Sequence, residues 1–440
     1  GGIMFQMLDG VRVVELGHIL LAPYATQFLG DFGADVIKVE APEGDYYRRL
    51  GASRVPGMTA QWMAVNRNKR SIALDLKSPE GRAALLEMLS QADIVVHNMR
   101  VPAIERLGLG YDAVREVNPR IVYCAAIGFG QDGPYADLPA FDDLIQARSG
   151  LAEANGRNAG APAFVPMVAA DKITGLALGQ AMLAGLFRQR TTGEGCYIET
   201  PMFETMISVM LSQHFNGAAF RPPEGGFGYA RVMSPFRKPA QTSDGFIAHG
   251  IYKFDQWQRF LRAVGRDDVA DGPMMTDAAT AQRHFPELYE LVVTHILPQR
   301  TTAEWQALFD ALDIPNAPVM AMEDLPDDPH VRAVGLIEDY DHPQQGPMRR
   351  VRSPYTMRGV EMGPDLPAPA LGAQGTAILP VCRALLQLSM DCRFEIALNH
   401  FLTRRKGVCA MGCSAQREST DVNHVPPQCI PQNVILFIHL

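Results

Sequence analysis

The chain has 440 residues, of which 47% are hydrophobic and 20% charged, and its formal net charge is −8. This balance is typical of a globular protein, and the length is sufficient for two or three domains. The negative charge and the lack of a basic stripe exclude a nucleic-acid-binding protein. No apolar run approaches the length of a membrane-spanning helix.

The N-terminal sequence and the cysteines indicate a protein of a reducing compartment. GGIMFQMLDG has no basic segment followed by an apolar one, so we expect no signal peptide. The seven cysteines form neither a CxxC pair nor a zinc-type spacing with histidine, so we expect no metal site. A cytoplasmic location is the simplest expectation.

The first third of the chain alternates between patterns that are typical of strands and helices. The predicted strands are 11–16, 35–40, 69–76, 93–98 and 120–129. A helical pattern covers 21–33, and a second one covers 78–92, with Ser78 as its N-cap and Pro79 in its first turn. This alternation favours an α/β fold in which helices cover both faces of a parallel sheet.

The turn after the first strand decides against a dinucleotide site. Such a site needs a GxGxxG sequence there, because only glycine lets the backbone approach a pyrophosphate closely. Here the turn is GHILLAP (17–23), with a single glycine. We therefore expect no nicotinamide or flavin cofactor.

The rest of the chain predicts a second, smaller α/β unit. A long apolar helix over 172–189 ends at the turn TTGEG (191–195), and residues 196–215 run from a strand into another long helix. A segment rich in Gly, Pro and Arg follows. Later helices are predicted at 255–265, 285–300 and 302–313, and a strand and turn at 346–359.

Six stretches, in this order, resemble the class III CoA-transferases, which include formyl-CoA transferase and the carnitine CoA-transferases. They are LGDFGADVIKVEAPEGD (29–45), NRNKRSIALDLKSPEGR (66–82), NPRIVYCAAIGFGQDGPYADLPAFDDLIQARSG (118–150), the stretch 167–195 with its TTGEG turn, DIPNAPV (313–319) and PAPALG (367–372). The resemblance covers residues 8–375. It implies a Rossmann-like large domain with a parallel sheet, a smaller inserted α/β domain and an interlocked homodimer.

With this resemblance we expect four segments. The large domain covers residues 8–225, with a linker at 200–225, the small domain covers 226–330, and the chain returns to the large domain over 331–375. The tail 376–440 has no steady periodicity and holds five of the seven cysteines. A shifted reading frame or a disordered tail would each give this pattern, and we assign the tail no function.

Asp171 precedes an I-T-G sequence and a long apolar helix, which is where the family's nucleophilic aspartate stands. Attack of a carboxylate on a thioester gives a mixed anhydride and CoA thiolate. The resemblance implies that the thiolate then forms an aspartyl-CoA thioester, so that CoA is substrate and product. From the stretch alone the alternative is an N-cap, for which Asp is among the preferred residues.

Asp142 in AFDD (140–143) matches the family's second acidic position, and the resemblance implies that it orients or tunes Asp171. A helix cap is the alternative. The related racemases carry His at the preceding position, as a proton donor and acceptor opposite their Asp. Here that residue is Phe141, which cannot take a proton, so racemase activity is disfavoured.

CoA contacts follow from the resemblance alone, which implies that the ADP-ribose end of CoA lies over the strand ends of the large domain. The matching positions are Ile19, Leu20, Leu74, Asp75, Leu76, Lys77, Asn98, Met99, Arg100 and Arg106. Lys77, Arg100 and Arg106 are cations, which can form charged hydrogen bonds to the phosphates of CoA. For Lys77 and Arg106 the alternative is a solvated surface charge.

The chain departs from formyl-CoA transferase around the substrate. Leu20 replaces a glutamine, and Ala41 and Pro139 stand where basic residues contact CoA. The segment 223–239 lacks a glycine-rich tetrad. Formate and oxalate are therefore disfavoured as substrates.

The resemblance implies reversible transfer of CoA from an acyl-CoA to a carboxylic acid. A small dicarboxylate, such as succinate or a C5 analogue, is the expected substrate if the cluster Arg48, Arg49 and Arg54 binds its free end; a solvated face is the alternative for these arginines. Two other functions stay open, an α-methylacyl-CoA racemase or isomerase and a non-catalytic acyl-CoA-binding protein.

Overall fold

The computed structural model describes residues 4–379. These residues fall into two compact units. The first unit comprises 4–124, 182–198 and 360–379, and the second comprises 125–181 and 199–359. The tail at 376–440, to which the sequence assigns no function, lies outside the described residues beyond Leu379.

A six-stranded sheet organises the first half of the chain. The strands up to residue 201 are β1 (Met4–Phe5), β2 (Arg12–Leu16), β3 (Asp35–Glu40), β4 (Lys69–Ala73), β5 (Ile94–His97), β6 (Val122–Ile127) and β7 (Cys196–Pro201). The sheet order is β4-β3-β2-β5-β6-β7, and β2 pairs in parallel with both β3 and β5. Strand β3 pairs in parallel with β4. The predicted parallel sheet is confirmed.

The central strands are apolar on both faces, as a sheet covered on both sides requires. Val13, Val14, Ile94 and Val95 are almost completely buried. The helices up to residue 192 are α1 (Leu21–Asp31), α2 (Ala60–Ala64), α3 (Pro79–Leu89), α4 (Val101–Arg106), α5 (Tyr111–Val117), α6 (Asp142–Arg148), α7 (Leu151–Gly156) and α8 (Ala169–Thr192). Burial of these branched side chains between helices and sheet supplies the main driving force for this fold.

The start of α3 confirms the local sequence signals. Ser78 precedes the helix in an extended conformation, and its hydroxyl accepts the backbone N–H of Gly81 at 3.0 Å. Pro79 occupies the first helical position, where its missing N–H costs no hydrogen bond. The helix therefore begins where the sequence predicts.

The later part of the chain contains a three-stranded antiparallel sheet in the order β10-β9-β8. The elements after residue 201 are α9 (Met202–His214), α10 (Ala230–Met233), β8 (Ala240–Gln241), β9 (Phe246–His249), α11 (Phe254–Ala263), α12 (Asp267–Ala270), α13 (Ala278–Arg283), α14 (Phe285–Leu291), α15 (Thr302–Ala311), β10 (Asn316–Pro318), α16 (Pro329–Val334), β11 (Ile337–His342), β12 (Gly346–Val351), β13 (Met362–Gly363) and α17 (Gly375–Ile378).

A separate hydrophobic core lies between Ala240 and Ile314 and includes Trp257, Phe260 and Trp305. It falls inside the segment 226–330 for which the sequence predicts a small domain. The boundaries of that domain stay a prediction.

Two predicted elements differ in detail. The single helix predicted at 285–300 ends as α14 at Leu291 and continues as a π-helical turn and a short 3-10 turn that contains Pro298. Proline has no N–H for the helical ladder, which explains the irregular end. In the segment 346–359, for which a strand and a turn are predicted, the strand β12 ends at Val351 and pairs with β11 as an antiparallel hairpin. Between residues 4 and 379, no helix is long and apolar enough to cross a membrane.

Candidate active site

The two acidic residues that the sequence singles out lie at the starts of two helices in the second unit. Asp142 is the buried first residue of α6. Asp171 is the third residue of α8 and is half-buried. The structure brings the two together, because Oδ1 of Asp142 accepts the backbone N–H of Asp171 at 2.8 Å.

Asp171 does not cap its own helix. The backbone N–H of Lys172 donates to the carbonyl of Val168 at 3.2 Å, which makes Val168 the N-cap residue of α8. The N–H of Asp171 is one of the donors that a helix start leaves without an intrahelical partner, and Asp142 satisfies it. The N-cap alternative for Asp171 is therefore wrong, and its carboxyl group does not cap the start of α8.

Gln146 fixes the second acid. It lies one turn after Asp142 on α6 and is fully buried. Its Nε2 donates to Oδ2 of Asp142 at 2.6 Å and to the carbonyl of Met167 at 3.1 Å. Its Oε1 accepts the N–H of Val165 at 3.0 Å. One side chain thus ties Asp142 to the segment that leads into α8.

Burial first, and then the negative charges of Asp142 and Asp143, together raise the pKa of Asp171 to about 7. A helix N-terminus favours the ionised form, but here desolvation and like charge outweigh it. A carboxylate that is poorly solvated and near two other acids is more basic than an exposed one. Near neutral pH, Asp171 therefore exists both as the carboxylic acid and as the carboxylate.

Other chemistries have less support at this pair. Phe141, at the position where related racemases carry His, is 65% exposed and has no titratable group. Among residues 4–379, no cluster of three or more His, Cys, Asp or Glu residues could hold a metal ion. The pair offers a carboxyl group that can attack or accept a proton, with no histidine at the racemase position.

The residues expected to contact CoA lie in the first unit. Ile19 and Leu20 join β2 to α1, 74–77 follow β4, and 98–100 follow β5. Because β2, β4 and β5 run parallel in one sheet, these three loops lie at the same edge, where α/β proteins bind ligands. Helix α4 begins directly after the third loop, and Arg106 is its last residue.

The side chains at this edge differ in what they can still bind. Lys77, Arg100 and Arg106 are exposed and form no ion pair within the described part of the chain. In contrast, Asn98 is already engaged: its Oδ1 accepts the N–H of His18 at 2.8 Å, and its Nδ2 donates to the carbonyl of His18 at 2.8 Å. The three cations are available for phosphates, and Asn98 holds the neighbouring loop.

Of the three arginines that the sequence allows as a substrate grip, Arg48 is already paired within the protein. Arg48 is buried, its Nε and Nη2 lie 2.6 and 2.7 Å from the carboxylate oxygens of Glu40, and its guanidinium lies 3.6 Å from the ring centre of Trp62. Arg49 and Arg54 are exposed. Arg48 therefore has neither a free charge for a dicarboxylate nor a place on a solvated face.

Residues 8–375 match CoA-transferase family III. The chain belongs to this family. Among its relatives, the succinate–glutarate CoA-transferase of Agrobacterium fabrum is 32% identical over 385 residues, which cover 84% of this chain and 94% of the relative. The human succinyl-CoA:glutarate CoA-transferase is 29% identical over 373 residues, covering 84% of this chain and 85% of the relative.

The fold agrees with this assignment. A crystal structure of a CAIB/BAIF family protein from Brucella suis has 30% sequence identity and a TM-score of 0.72, and covers 85% of this chain and 99% of that protein. As a member of family III, the chain is a CoA-transferase, an enzyme whose class uses CoA thioesters as substrates.

Gln146 is a residue of this transferase that sequence reasoning missed. The spacing along the sequence could have indicated it, because a residue four positions after Asp142 lies on the same face of the helix as Asp142. Nothing in the sequence indicates that its amide also reaches residues 165 and 167, because those contacts join segments that are separate along the chain.

Proposed function

We propose that this transferase moves CoA from an acyl-CoA to a carboxylic acid through covalent intermediates on Asp171. An Oδ atom of Asp171 attacks the thioester carbonyl, the C–S bond breaks, and CoA thiolate leaves a mixed anhydride behind. The thiolate then attacks the Asp171 carbonyl of the anhydride and releases the donor acid. This gives an aspartyl-CoA thioester.

The second half of the cycle repeats these steps in reverse. The acceptor carboxylate attacks the aspartyl thioester and releases thiolate, which attacks the acceptor's acyl carbon in the new anhydride. The products are the new acyl-CoA and the free Asp171 carboxylate. Each step exchanges one activated acyl bond for another, so no other energy source is required.

The observation that carries this proposal is that Asp142, and not Asp171, accepts a free backbone N–H at the start of α8. Asp142 accepts the backbone N–H of Asp171, which leaves the Asp171 carboxyl group without a capping role. Burial and like charge raise the pKa of Asp171 to about 7, which makes its ionised form a stronger nucleophile than an ordinary aspartate.

We propose small dicarboxylates as the substrates, a succinyl donor with a C5 acceptor being the first pair to test. The relatives that support this are named succinate–glutarate CoA-transferase, succinyl-CoA:glutarate CoA-transferase and succinyl-CoA:mesaconate CoA-transferase. These three relatives are 29–32% identical to this chain. Arg48 does not support the choice, because its charge is neutralised by Glu40.

We also propose that the phosphates of CoA bind at the carboxyl edge of the six-stranded sheet. Lys77 and Arg100 support this because they are exposed cations in loops at that edge, and Arg106 is an exposed cation at the end of α4, the helix that follows Arg100. A homodimer is part of the same proposal. Its support is that α8 exposes large apolar side chains, with Leu176 44% and Phe187 71% exposed, which a second copy would cover.

The deciding experiment traps the acylated aspartate. The enzyme is incubated with succinyl-CoA, glutaryl-CoA or a branched acyl-CoA, then with hydroxylamine, and the Asp171 peptide is analysed by mass spectrometry. A hydroxamate at Asp171 supports the proposal. Transfer without any mark on Asp171 overturns it.

Two controls separate the alternatives. Asp171→Asn must bind acyl-CoA and lose both labelling and turnover; equal turnover would contradict the nucleophile. Exchange of the α-proton of a branched acyl-CoA in heavy water, without any acceptor acid, would instead indicate a racemase or isomerase.

A further inference from the structure

The loop that joins β2 to α1 holds a backbone conformation that its own sequence disfavours. Ile19 has φ of +59°, in the left-handed region. A β-branched residue rarely adopts it, because its side chain crowds the backbone there. Such a conformation persists only when the surroundings impose it, and strained residues of this kind cluster at functional sites.

Side chains from three other segments, those of Asp45, Asn98 and Lys38, bind the backbone of this loop. Both carboxylate oxygens of Asp45 lie 3.1 Å from the N–H of Ile19. Asn98 binds both the N–H and the carbonyl of His18. Lys38 Nζ donates to the carbonyl of Gly17 at 2.8 Å. Four consecutive polar backbone groups of the loop are thus bound by side chains rather than by neighbouring backbone.

Gly17 adds a steric restriction to the loop. A Cβ at this position would lie 2.8 Å from Cβ of Ala22 and 3.0 Å from Oε1 of Glu15. The loop therefore passes directly over the start of α1 and over the charged cluster beneath it. A residue with a side chain would not fit at position 17 without a shift of these neighbours.

Lys38 and Asp45 belong to a buried charged cluster that also contains Glu15 and Lys69. Lys38 lies between Glu15, at 2.9 Å, and Asp45, at 3.1 Å, and all three side chains are fully buried. Glu15 also accepts Lys69 at 2.8 Å and the hydroxyl of Thr26 at 2.6 Å. The four ionised groups balance in charge, as buried ions require.

The two acids of the cluster stay ionised across the physiological pH range, whereas burial lowers the pKa of Lys69 to about 8. Burial alone would raise the pKa of Asp45, but the charge of Lys38 and the N–H groups of Tyr47 and Ile19 lower it below its usual value. Burial likewise acts to raise the pKa of Glu15, and the charges of Lys38 and Lys69 lower it to about 2. Asp45 therefore remains a full acceptor for Ile19.

We propose that Asp45 is a positioning residue that, with Lys38 and Asn98, sets the His18–Ile19 backbone before the CoA thioester arrives. This inference rests on the proposed binding of CoA at the carboxyl edge of the sheet. A loop that is already ordered lowers the entropic cost of binding. Asp45 itself makes no contact with the reacting atoms in this role.

The test measures equilibrium binding of S-ethyl-CoA, a thioether that cannot acylate Asp171. Asp45→Ala is expected to raise its Kd about tenfold, equivalent to about 1.4 kcal/mol. Asp45→Asn keeps one acceptor for Ile19 and should give a smaller rise. The matched control is Asp35→Ala, an acid that starts β3 at the opposite edge and pairs with Arg12 and Arg70; its Kd should stay within twofold.

A double-mutant cycle separates positioning from general stability. Glycine adopts the left-handed region without strain, so the effect of Asp45→Ala on Kd should fall to less than threefold in an Ile19→Gly background. A merely structural Asp45 would lower the melting temperature in both backgrounds and change Kd equally in both, or not at all. Either of those results overturns the inference.

The kinetic readout distinguishes this inference from the proposed function. At saturating succinyl-CoA, Asp45→Ala should label Asp171 at a rate within threefold of the parent, with the loss confined to KM. If the parent never labels Asp171 but the Kd pattern holds, the covalent mechanism fails and the positioning role stands. If labelling occurs and Kd is unchanged by Asp45→Ala, the positioning role fails alone.

Discussion

The Oδ1 atom of Asp142 lies 2.8 Å from the backbone nitrogen of Asp171, and this contact joins α6 to the first turn of α8. Asp142 thereby takes the role that an N-terminal helix acid usually plays for its own helix. The carboxyl group of Asp171, the nucleophile of the proposed mechanism, has a pKa raised by burial first and by Asp142 and Asp143 second. The following expected outcomes depend on this division of roles.

The first prediction concerns the pH dependence of acylation. Because the ionised carboxylate attacks, kcat/KM for the acyl-CoA should rise with pH and level off above an inflection near the Asp171 pKa of about 7. Asp143→Asn removes one of the negative charges that raise this pKa, so the inflection should move to lower pH. The measurement is initial-rate kinetics from pH 5 to 9. An inflection that moves to higher pH in the variant would contradict the electrostatic account.

The second prediction concerns stability. The pKa of Asp171 is raised in the folded protein, so the native state holds a proton that the unfolded chain releases between the ordinary value, 3.8, and about 7. Stability therefore falls as pH rises through this window. Asp171→Asn, which is always neutral, should melt at a higher temperature than the parent above pH 7 and at the same temperature near pH 4. Calorimetric melting at both pH values tests this, and a variant that is equally stable at pH 8 would argue against a buried, destabilised carboxylate.

Sequence patterns predicted the α/β alternation because parallel strands need apolar residues on both faces, and Val13, Val14 and Ile94 meet that need. The resemblance placed the reactive acid at Asp171, and the structure then excluded the competing N-cap. The ion pair of Arg48 could not be predicted, because its contacts with Glu40 and Trp62 are set by packing rather than by spacing along the chain. The same holds for Gln146, whose contacts at 165 and 167 depend on how two segments meet.

Arg48→Ala provides the third prediction. Removing one partner of a buried ion pair leaves Glu40 uncompensated and should cost roughly 3–5 kcal/mol of stability. The KM for the acceptor acid, measured on the folded fraction, should stay within twofold. Arg49→Ala, an exposed neighbour, serves as the matched control and should change stability by less than about 0.5 kcal/mol. A parental melting temperature with a large rise in acceptor KM would restore Arg48 as a substrate ligand.

The fourth prediction concerns the three exposed cations at the sheet edge. Lys77→Ala, Arg100→Ala and Arg106→Ala should each raise the KM for acyl-CoA, by about tenfold where the cation forms a charged hydrogen bond to phosphate. The KM should also rise with ionic strength, and less so in the variants. Arg115→Ala, an exposed cation on α5, is the control. If all four variants behave alike, the phosphates bind elsewhere.

The fifth prediction separates two ways of disturbing Gln146. Gln146→Leu leaves Oδ2 of Asp142 and the N–H of Val165 without this partner, which should cost roughly 1–3 kcal/mol for each buried group and reduce the rate of Asp171 labelling. Gln146→Glu preserves the shape and the acceptor for Val165 but places a second carboxylate against Asp142.

The melting temperature of Gln146→Glu, relative to that of the parent, should therefore depend on pH, whereas that of Gln146→Leu should not. At neutral pH, repulsion between residue 146 and Asp142 should lower the melting temperature below that of Gln146→Leu, because a buried like-charge pair is costly. In acid, a protonated glutamic acid can donate to Oδ2 of Asp142 as the amide does, and the melting temperature should recover toward the parent. Gln131→Glu, on a half-exposed glutamine before α6, controls for added charge. A glutamate variant as stable as the parent at pH 8 would show that the 2.6 Å contact between Gln146 and Asp142, within α6, contributes little to stability.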